Sequence, residues 1–321
     1  MTNEINTTNN ERTGAIASVP DHSNNALAER AREFVRNSKA PRTLAEYARC
    51  WSDFAKWCDG RGLSSLPASP DTTGLYLTDL AGRLKYSSIA QRCAALHEVH
   101  TARGLESPTK SALVRLLLQG IRRTIGTHQQ GKPPALASDV RRVVESLPDD
   151  LAGTRNRALL TLALASGLRR SELCGLDVSN VRFERDGMVV FLRKSKTDQQ
   201  QEGREIGINF GSTCASCPVR SVTAWIDRAG ITEGPLFRPM RNGKVEDARL
   251  RPADFSRIVK RYLGAEFSAH STRSGHCTSA ALAGASELEI KRTTGHRSSA
   301  MVEKYIRVAD LFKNSSAKLG L

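Results

Sequence analysis

The first third of the chain repeats apolar positions with the period of an α-helix. Residues 1–26 are rich in Asn, Thr and Ser and are expected to form a disordered tail. From residue 27 onward, apolar residues return every three or four positions. The clearest stripe of this kind consists of Leu44, Tyr47, Trp51, Phe54 and Cys58. Because these aromatic side chains share one face, we expect them in a buried core. The spacing predicts four or five helices that form an all-α domain over residues 27–125.

A helix start is predicted just ahead of that stripe. Thr43 and Glu46 have the spacing of a capping box, in which each side chain accepts a hydrogen bond from the backbone N–H of the other residue. The pattern predicts that Thr43 caps the helix.

The helical pattern breaks at residues 126–134, which read GTHQQGKPP and contain no apolar side chain. Glycines and paired prolines of this kind are typical of a linker. We therefore place a domain boundary there, with a second domain over residues 135–321. That domain opens with helical patterns, and the segment 155–166 is apolar enough to be buried on most sides.

The period then changes from that of a helix to that of a strand. Apolar and polar residues alternate in three short segments, Val181–Arg185, Met188–Arg193 and Glu205–Ile208. Together they predict a small three-stranded antiparallel sheet, with a turn at Asp186-Gly187. Helical spacing returns afterwards, and the chain ends in a weakly amphipathic tail containing Leu311 and Phe312.

The net charge of the chain indicates which class of partner it binds. The 321 residues carry a formal net charge of +15, with 48 Lys and Arg against 33 Asp and Glu. A surplus of this size favours a polyanionic partner, above all nucleic acid. The alternative on charge alone is a cationic protein without a nucleic-acid role.

The remaining composition indicates a cytoplasmic protein. No segment approaches the roughly 20 apolar residues that span a bilayer, and the N-terminus does not resemble a signal peptide. The seven cysteines are scattered and odd in number, which favours reduced thiols. Cys214 and Cys217 form the one tight pair. A zinc site would need two further ligands at suitable spacing, so no metal is expected.

Seven residues of the second domain have side chains suited to phosphoryl transfer. They are Arg169, Glu172, Lys196, His270, Arg273, His296 and Tyr305. A guanidinium can bind a phosphate, imidazoles can move protons and a phenol can attack phosphorus. Taken singly, each of these residues is more often an ordinary surface or helix residue.

The motifs around these residues resemble the tyrosine recombinase (phage integrase) family, and most closely its Cre-like site-specific recombinases. SGLRRSEL at residues 166–173 looks like the first arginine motif of that family, and HSTR at residues 270–273 looks like the second. Gly295-His296 is followed nine residues later by Tyr305. The resemblance covers residues 27–321, and it implies a protein that is encoded by a bacterium, phage or plasmid and associated with the nucleoid. It implies a mainly α protein in which a helical core-binding domain and a catalytic domain with a small sheet form a C-shaped clamp on duplex DNA.

The resemblance also implies roles for the residues that bind and hold the phosphate. Arg169 and Arg273 would bind the non-bridging oxygens of one phosphodiester, which two fixed cations stabilise as negative charge builds up. Glu172 would hold the guanidinium of Arg169, from which it is separated by one helical turn.

The other residues would carry out the reaction. Tyr305 would attack phosphorus and form a 3′-phosphotyrosyl bond. His270 would accept its proton and His296 would donate a hydrogen bond to the phosphate, although the division of work between the two histidines stays open. Lys196 would protonate the leaving 5′-oxygen, with Lys194 as its nearest rival. No cofactor and no metal are expected.

The resemblance implies a dimer on an inverted-repeat DNA site and a tetramer when two sites pair. The tail near Leu311 and Phe312 would then dock into a neighbouring copy. Two other functions stay open. A type IB topoisomerase would use the same chemistry without choosing a site, and a catalytically silent DNA-binding protein would bind without forming a covalent adduct.

Overall fold

The computed structural model describes residues 25–36, 38–127, 131–192 and 203–310. Over these ranges the chain is mostly helical with one three-stranded antiparallel sheet, which confirms the predicted fold class. The chain divides into two compact units, Met1–Gln130 and Gly131–Leu321. Most of the predicted N-terminal tail, Lys194, Lys196 and the C-terminal residues from Leu311 onward lie outside the described residues. None of the described helices is long and apolar enough to cross a membrane.

Helices of the first unit follow the predicted stripes. They are α1 (Asn25–Arg36), α2 (Pro41–Asp59), α3 (Pro70–Ala81), α4 (Tyr86–Ala102) and α5 (Ala112–Ile125). Both α3 and α5 begin after a serine whose hydroxyl accepts a hydrogen bond from the first turn. Ser69 accepts from the N–H of Thr72 at 3.0 Å, and Ser111 accepts from the N–H of Val114 at 3.2 Å.

The core of this unit contains the aromatic stripe of α2. Trp51, Phe54 and Cys58 are buried as predicted. The ring of Phe54 lies 4.9 Å from that of Tyr76 on α3. The apolar face of α1 behaves differently, because Leu27 and Phe34 are 60% and 67% exposed. The periodicity therefore predicted the helix correctly, whereas only packing determines whether its apolar face is covered.

The predicted cap at Thr43 is wrong. The helix begins at Pro41, and Ala40 precedes it as N-cap without a side-chain hydrogen bond. The N–H of Thr43 already donates to the carbonyl of Ala40 at 2.8 Å, so Thr43 lies within the first turn. Proline is favoured at the first helical position, because its φ angle suits the helix and it has no N–H to satisfy. This preference outweighed the capping box.

The second unit combines helices with the sheet. Its helices are α6 (Ala137–Ser146), α7 (Leu151–Ser166), α8 (Arg170–Gly175), α9 (Pro218–Ala229), α10 (Pro252–Leu263), α11 (Ala269–Leu282), α12 (Glu287–Thr294) and α13 (Ser299–Asp310). Its strands are β1 (Val181–Glu184), β2 (Gly187–Leu192), β3 (Arg204–Asn209), and the short pair β4 (Met240–Arg241) and β5 (Lys244–Val245).

The main sheet has the order β1-β2-β3 and is antiparallel, as predicted. Met188 and Val190 lie opposite Ile208 and Ile206, and all four are buried. This apolar face packs into the same core as α7, in which Leu159, Leu160 and Leu162 are fully buried. The apolar segment predicted to be buried on most sides is thus the central helix of this unit.

A close backbone approach positions α11 within the unit. The N–H of Ala135 donates to the carbonyl of Ser271 at 2.9 Å. Gly275 lies one turn farther along α11, and a Cβ atom there would be 1.7 Å from the carbonyl oxygen of Ala135. Only glycine allows α11 to lie this close to the preceding segment. This packing matters for the site because α11 carries His270 and Arg273.

Gly275→Ala should therefore destabilise the second unit strongly. The added methyl group meets backbone and must push α11 away, which we expect to cost about 2 kcal/mol or more, as overpacking does elsewhere. Gly175→Ala is the matched control in the same unit, since nothing lies within 4 Å of its added Cβ. Thermal unfolding followed by circular dichroism checks this, and equal melting temperatures for the two variants would contradict the close approach.

Candidate active site

Six of the seven predicted site residues come together in the second unit. Arg169 precedes α8, while His270 and Arg273 lie in the first turns of α11. His296 follows α12, and Tyr305 lies on α13. The Oη atom of Tyr305 is 3.5 Å from Nε2 of His270, and its ring centroid is 6.2 Å from that of His296. Glu172 also lies here, whereas Lys196 falls outside the described residues.

Arg169 is held in place by Glu172. Its backbone N–H donates to Oε2 of Glu172 at 2.9 Å, and its Nη1 donates to Oε1 at 2.6 Å. The carboxylate is almost fully buried, so this charge-assisted pair is poorly screened by solvent. One carboxylate thus caps α8 and orients the guanidinium that precedes it.

Arg273 is the most deeply buried of these side chains, with 1% of its surface exposed. Its Nη1 donates to the carbonyl of Gly167 at 2.6 Å, which ties α11 to the end of α7. Its Nη2 is buried and has no hydrogen-bond partner within the described part of the chain. The guanidinium therefore retains hydrogen-bonding capacity that the described residues do not use.

Gly167 is required for this arrangement. It ends α7 with a left-handed φ of 58°, which a glycine adopts at no steric cost. A Cβ at this position would also lie 2.9 Å from Cγ2 of Thr294 and 3.0 Å from the ring of His276. The chain can turn from α7 into Arg169 and expose the Gly167 carbonyl to Arg273 because no side chain is present.

Arg204 is a site residue that the sequence did not predict. It opens β3, and its charge acts on Arg169, Glu172, Arg273 and His296. In the sequence it is one polar residue at the start of an alternating strand, which is the usual pattern of an exposed position. Nothing local distinguishes it from Arg182 on β1, which is exposed.

Positive charge exceeds negative charge in this cluster. Among the described residues, the guanidiniums of Arg169, Arg204 and Arg273 face the single carboxylate of Glu172. Burial, reinforced by Arg169, lowers the pKa of Arg273 to about 10. The group stays protonated at neutral pH, but its charged form is destabilised relative to water. A bound anion would relieve this destabilisation, so the site is suited to a phosphate.

Burial and the same cations keep His296 neutral. Burial, followed by the charges of Arg273 and Arg169, lowers the pKa of His296 to about 4. The hydroxyl of Thr294 donates to the carbonyl of Ile290 at 2.6 Å and so accepts the proton of Nδ1–H of His296 at 2.7 Å. In the neutral ring Nε2 is then an acceptor, and it can donate only when the ring is protonated.

His270 is the more exposed of the two rings. Partial burial and the charges of Arg273 and Arg169 also lower its pKa. Its contact with Tyr305 is long for a hydrogen bond. Burial is the main cause that raises the pKa of Tyr305, with Cys277 adding to the effect and Arg273 opposing it. The phenol is therefore protonated at neutral pH and must lose its proton to react.

A third histidine, His276, supports the site without belonging to the predicted set. Its Nδ1 is 2.8 Å from the carbonyl of Leu164, which makes a second link between α11 and α7. Its ring packs against Gly167.

The described residues contain no cluster of three potential metal ligands.

Comparisons with known proteins match this architecture. Residues 136–311 match the phage integrase family. The chain is 36% identical to the integrase/recombinase XerD homologue of Selenomonas ruminantium, over 91% of this chain and 89% of the relative. It is 28% identical to the recombinase Cre of Escherichia phage P1, over 83% of each chain. Among solved structures, the XerH site-specific recombinase bound to a palindromic difH substrate has a similar fold. The TM-score is 0.66 at 13% identity, covering 96% of this chain and 93% of that one.

The electrostatics of the site predict how its histidines titrate. In NMR of the histidine ring protons, His296 should titrate at about pH 4. Sulfate should raise this pKa relative to chloride at equal ionic strength, because a bound anion offsets the guanidiniums. Stability should fall as the pH drops from 6.5 towards 4, since the unfolded chain takes up this proton first.

His100 provides the internal control for the sulfate effect. It is buried in the first unit, where its Nε2 accepts from the N–H of Ala68 at 3.0 Å. Burial is the main cause that lowers its pKa too, and the charges of Arg103 and His97 add to the effect, but no cluster of buried guanidiniums adjoins His100 among the described residues. Sulfate should leave the pKa of His100 unchanged. Equal responses of His100 and His296 would contradict an anion site at the arginine cluster.

Proposed function

The chain belongs to the phage integrase family of tyrosine recombinases, and on this premise we propose that it exchanges DNA strands through a 3′-phosphotyrosyl intermediate. The observation that carries the proposal is the convergence of Tyr305 and His270 with a cluster of three arginines that faces one carboxylate among the described residues. A phenol beside buried guanidiniums is suited to attack on a phosphodiester.

The first step is phosphate binding. Arg169 and Arg273 approach from different elements, so their guanidiniums can bind the non-bridging oxygens from two sides. Charge accumulates on those oxygens as the bond to the nucleophile forms, and cations that are already fixed stabilise it without reorganising. The contacts of Arg169 with Glu172 and of Arg273 with Gly167 support this role, because both guanidiniums are oriented before substrate arrives.

The second step is in-line attack. The Oη atom of Tyr305 forms a bond to phosphorus, and the bond from phosphorus to the 5′-oxygen breaks. His270 takes the phenolic proton, since its Nε2 is the imidazole nitrogen that contacts the hydroxyl. Lys196 gives a proton to the leaving 5′-oxygen. The products are a 3′-phosphotyrosyl bond and a free 5′-hydroxyl.

His296 acts on the phosphate in this scheme. Neutral His296 presents a lone pair at Nε2, which would repel a phosphate oxygen. A bound phosphodiester raises the pKa of the ring, and in the protonated form Nε2–H donates to a non-bridging oxygen. Protonation of His296 is thus linked to substrate binding, which distinguishes its role from that of His270.

Reversal of the chemistry completes strand exchange. The phosphotyrosyl bond retains the energy of the phosphodiester, so the 5′-hydroxyl of another strand can attack it without a nucleotide cofactor. Joining to a different strand gives recombination, whereas joining to the original strand after rotation gives relaxation, as in a topoisomerase. The identity to the XerD homologue and to Cre supports the first outcome.

The partner in this proposal is duplex DNA. Residues 27–125 form the core-binding domain, and α5 presents the exposed cations Arg115, Arg122 and Arg123 for phosphate contacts. Residues 135–321 form the catalytic domain, joined to it by the linker at 126–134. One dimer binds an inverted-repeat site and two sites pair in a tetramer. The tail at Leu311 and Phe312 docks into a neighbouring copy within that ring.

Tyr305→Phe should abolish covalent attachment to DNA while leaving binding intact. The substrates are genomic DNA fragments from beside the gene that carry a nick near the suspected cleavage point. They trap the adduct because the short cleavage product with the free 5′-hydroxyl diffuses away and cannot attack the phosphotyrosyl bond. We expect a protein–DNA adduct on a denaturing gel for the unaltered chain and none for the variant. Tight specific binding without any adduct from the unaltered chain would instead favour a catalytically silent DNA-binding protein.

Lys196→Ala should slow cleavage by about 10²- to 10⁴-fold, the usual contribution of a general acid. The defect should disappear on a substrate with sulfur in place of the 5′-bridging oxygen, because a thiolate leaves without being protonated. Lys194→Ala is the matched control, with less than about a tenfold effect and no rescue by sulfur. A sulfur-rescued defect in Lys194→Ala alone would reassign the acid to that residue.

A further inference from the structure

Arg204 makes contacts that the proposed chemistry does not use. Its Nη1 donates to the carbonyl of Thr293 at 2.7 Å and, more weakly, to that of Arg292 at 3.3 Å. Both carbonyls belong to the last turn of α12, where helical carbonyls have no partner within the helix. A cation at this end also offsets the negative end of the helix dipole. Arg204 therefore connects β3 to the C-terminus of α12.

The contact continues into the turn that follows. Gly295 adopts a left-handed φ of 69° immediately after α12. A Cβ on it would lie 2.6 Å from Nη1 of Arg204, so the guanidinium packs directly against the glycine backbone. The next residue is His296. Arg204 thus contacts the backbone of this turn, and the hydroxyl of Thr294 is hydrogen-bonded to the ring of His296.

Arg204 lies at the end of the ladder between β2 and β3. Arg204 is paired with Leu192 on β2 and is followed by Ile206 in the buried core. The side chain projects from an anchored strand rather than from a loop. Its guanidinium is half-buried, and its Nη2 has no partner among the described residues.

We propose that Arg204 is a positioning residue that fixes the turn presenting His296 to the scissile phosphate. It acts through backbone carbonyls and not by touching substrate. Loss of its hydrogen bonds would let the Gly295-His296 turn move, and a displacement near 1 Å in a catalytic group can cost about a hundredfold in rate. The catalytic consequence rests on the function proposed above, whereas the structural contact does not.

The first measurement is independent of catalysis. Hydrogen exchange by mass spectrometry follows the amides of residues 291–297, where the N–H of Gly295 donates to Lys291 at 2.7 Å. Arg204→Gln should lose protection in this segment, with little change in the rest of the second unit. Arg182→Gln is the matched control, since Arg182 lies on the same sheet but pairs with the exposed Glu184. Unchanged protection in Arg204→Gln would overturn the proposal.

Arg204→Lys is the second variant, in case Arg204→Gln does not fold. It keeps the charge but has a shorter reach and no planar fork. We expect a smaller loss of protection, confined to the same segment. Protection equal to that of the unaltered chain would show that a charge near α12 suffices and that the guanidinium contact has no positioning role.

The second measurement is a double-mutant cycle on the rate of adduct formation. With DNA in saturating excess, Arg204→Gln should slow cleavage about tenfold to a hundredfold. Combined with His296→Ala, it should add little to the defect of His296→Ala alone, because both changes remove the same function. If the rate defects of the two single variants multiply in the double variant, Arg204 does not act through His296. If the unaltered chain forms no adduct, the strand-exchange function fails, while hydrogen exchange still decides whether Arg204 holds the turn.

Discussion

The hydrogen bond from Arg273 to the carbonyl of Gly167 joins the two arginine motifs of the site, and the rest of the arrangement depends on it. The donor is a buried guanidinium on α11, and the acceptor is the residue that follows the central helix α7 as its C-cap. Burying a cation is costly unless it is hydrogen-bonded. The left-handed conformation of Gly167 aims its carbonyl at Arg273 and directs the chain into Arg169. Gly167 therefore accepts a hydrogen bond from Arg273 and also determines the position of Arg169.

The electrostatic state of the site follows from this burial. Guanidiniums that are held together without enough carboxylates raise the energy of every further positive charge nearby. Burial first, and the charges of these guanidiniums second, lower the pKa of His270, of His296 and of Arg273, so the two imidazoles are neutral at pH 7. A phosphate bound in the proposed reaction would oppose these effects, because its negative charge offsets the guanidiniums. In that proposal, substrate binding is coupled to the protonation of His296.

The sequence predicted most of the fold because the spacing of apolar residues distinguishes helices from strands locally. The aromatic stripe of α2 and the alternation of β2 and β3 both became buried faces. The errors occurred where two local preferences competed or where packing decided. At the start of α2, Pro41 outweighed the capping box of Thr43. On α1, the spacing predicted an amphipathic helix but contained no information on whether a partner covers Leu27 and Phe34.

The sequence by itself determined the helices, the sheet and the motifs that carry the candidate chemistry, because these depend on residues within a few positions of one another. Only the tertiary structure decided how those motifs act together. The bond of Arg273 to Gly167 joins residues 106 positions apart, and that of Arg204 to Thr293 joins residues 89 apart. Such contacts depend on the packing of α11 against α7 and of β3 against α12, and no local pattern encodes them. The same holds for the neutral state of His296, which arises from burial among cations brought from three different elements.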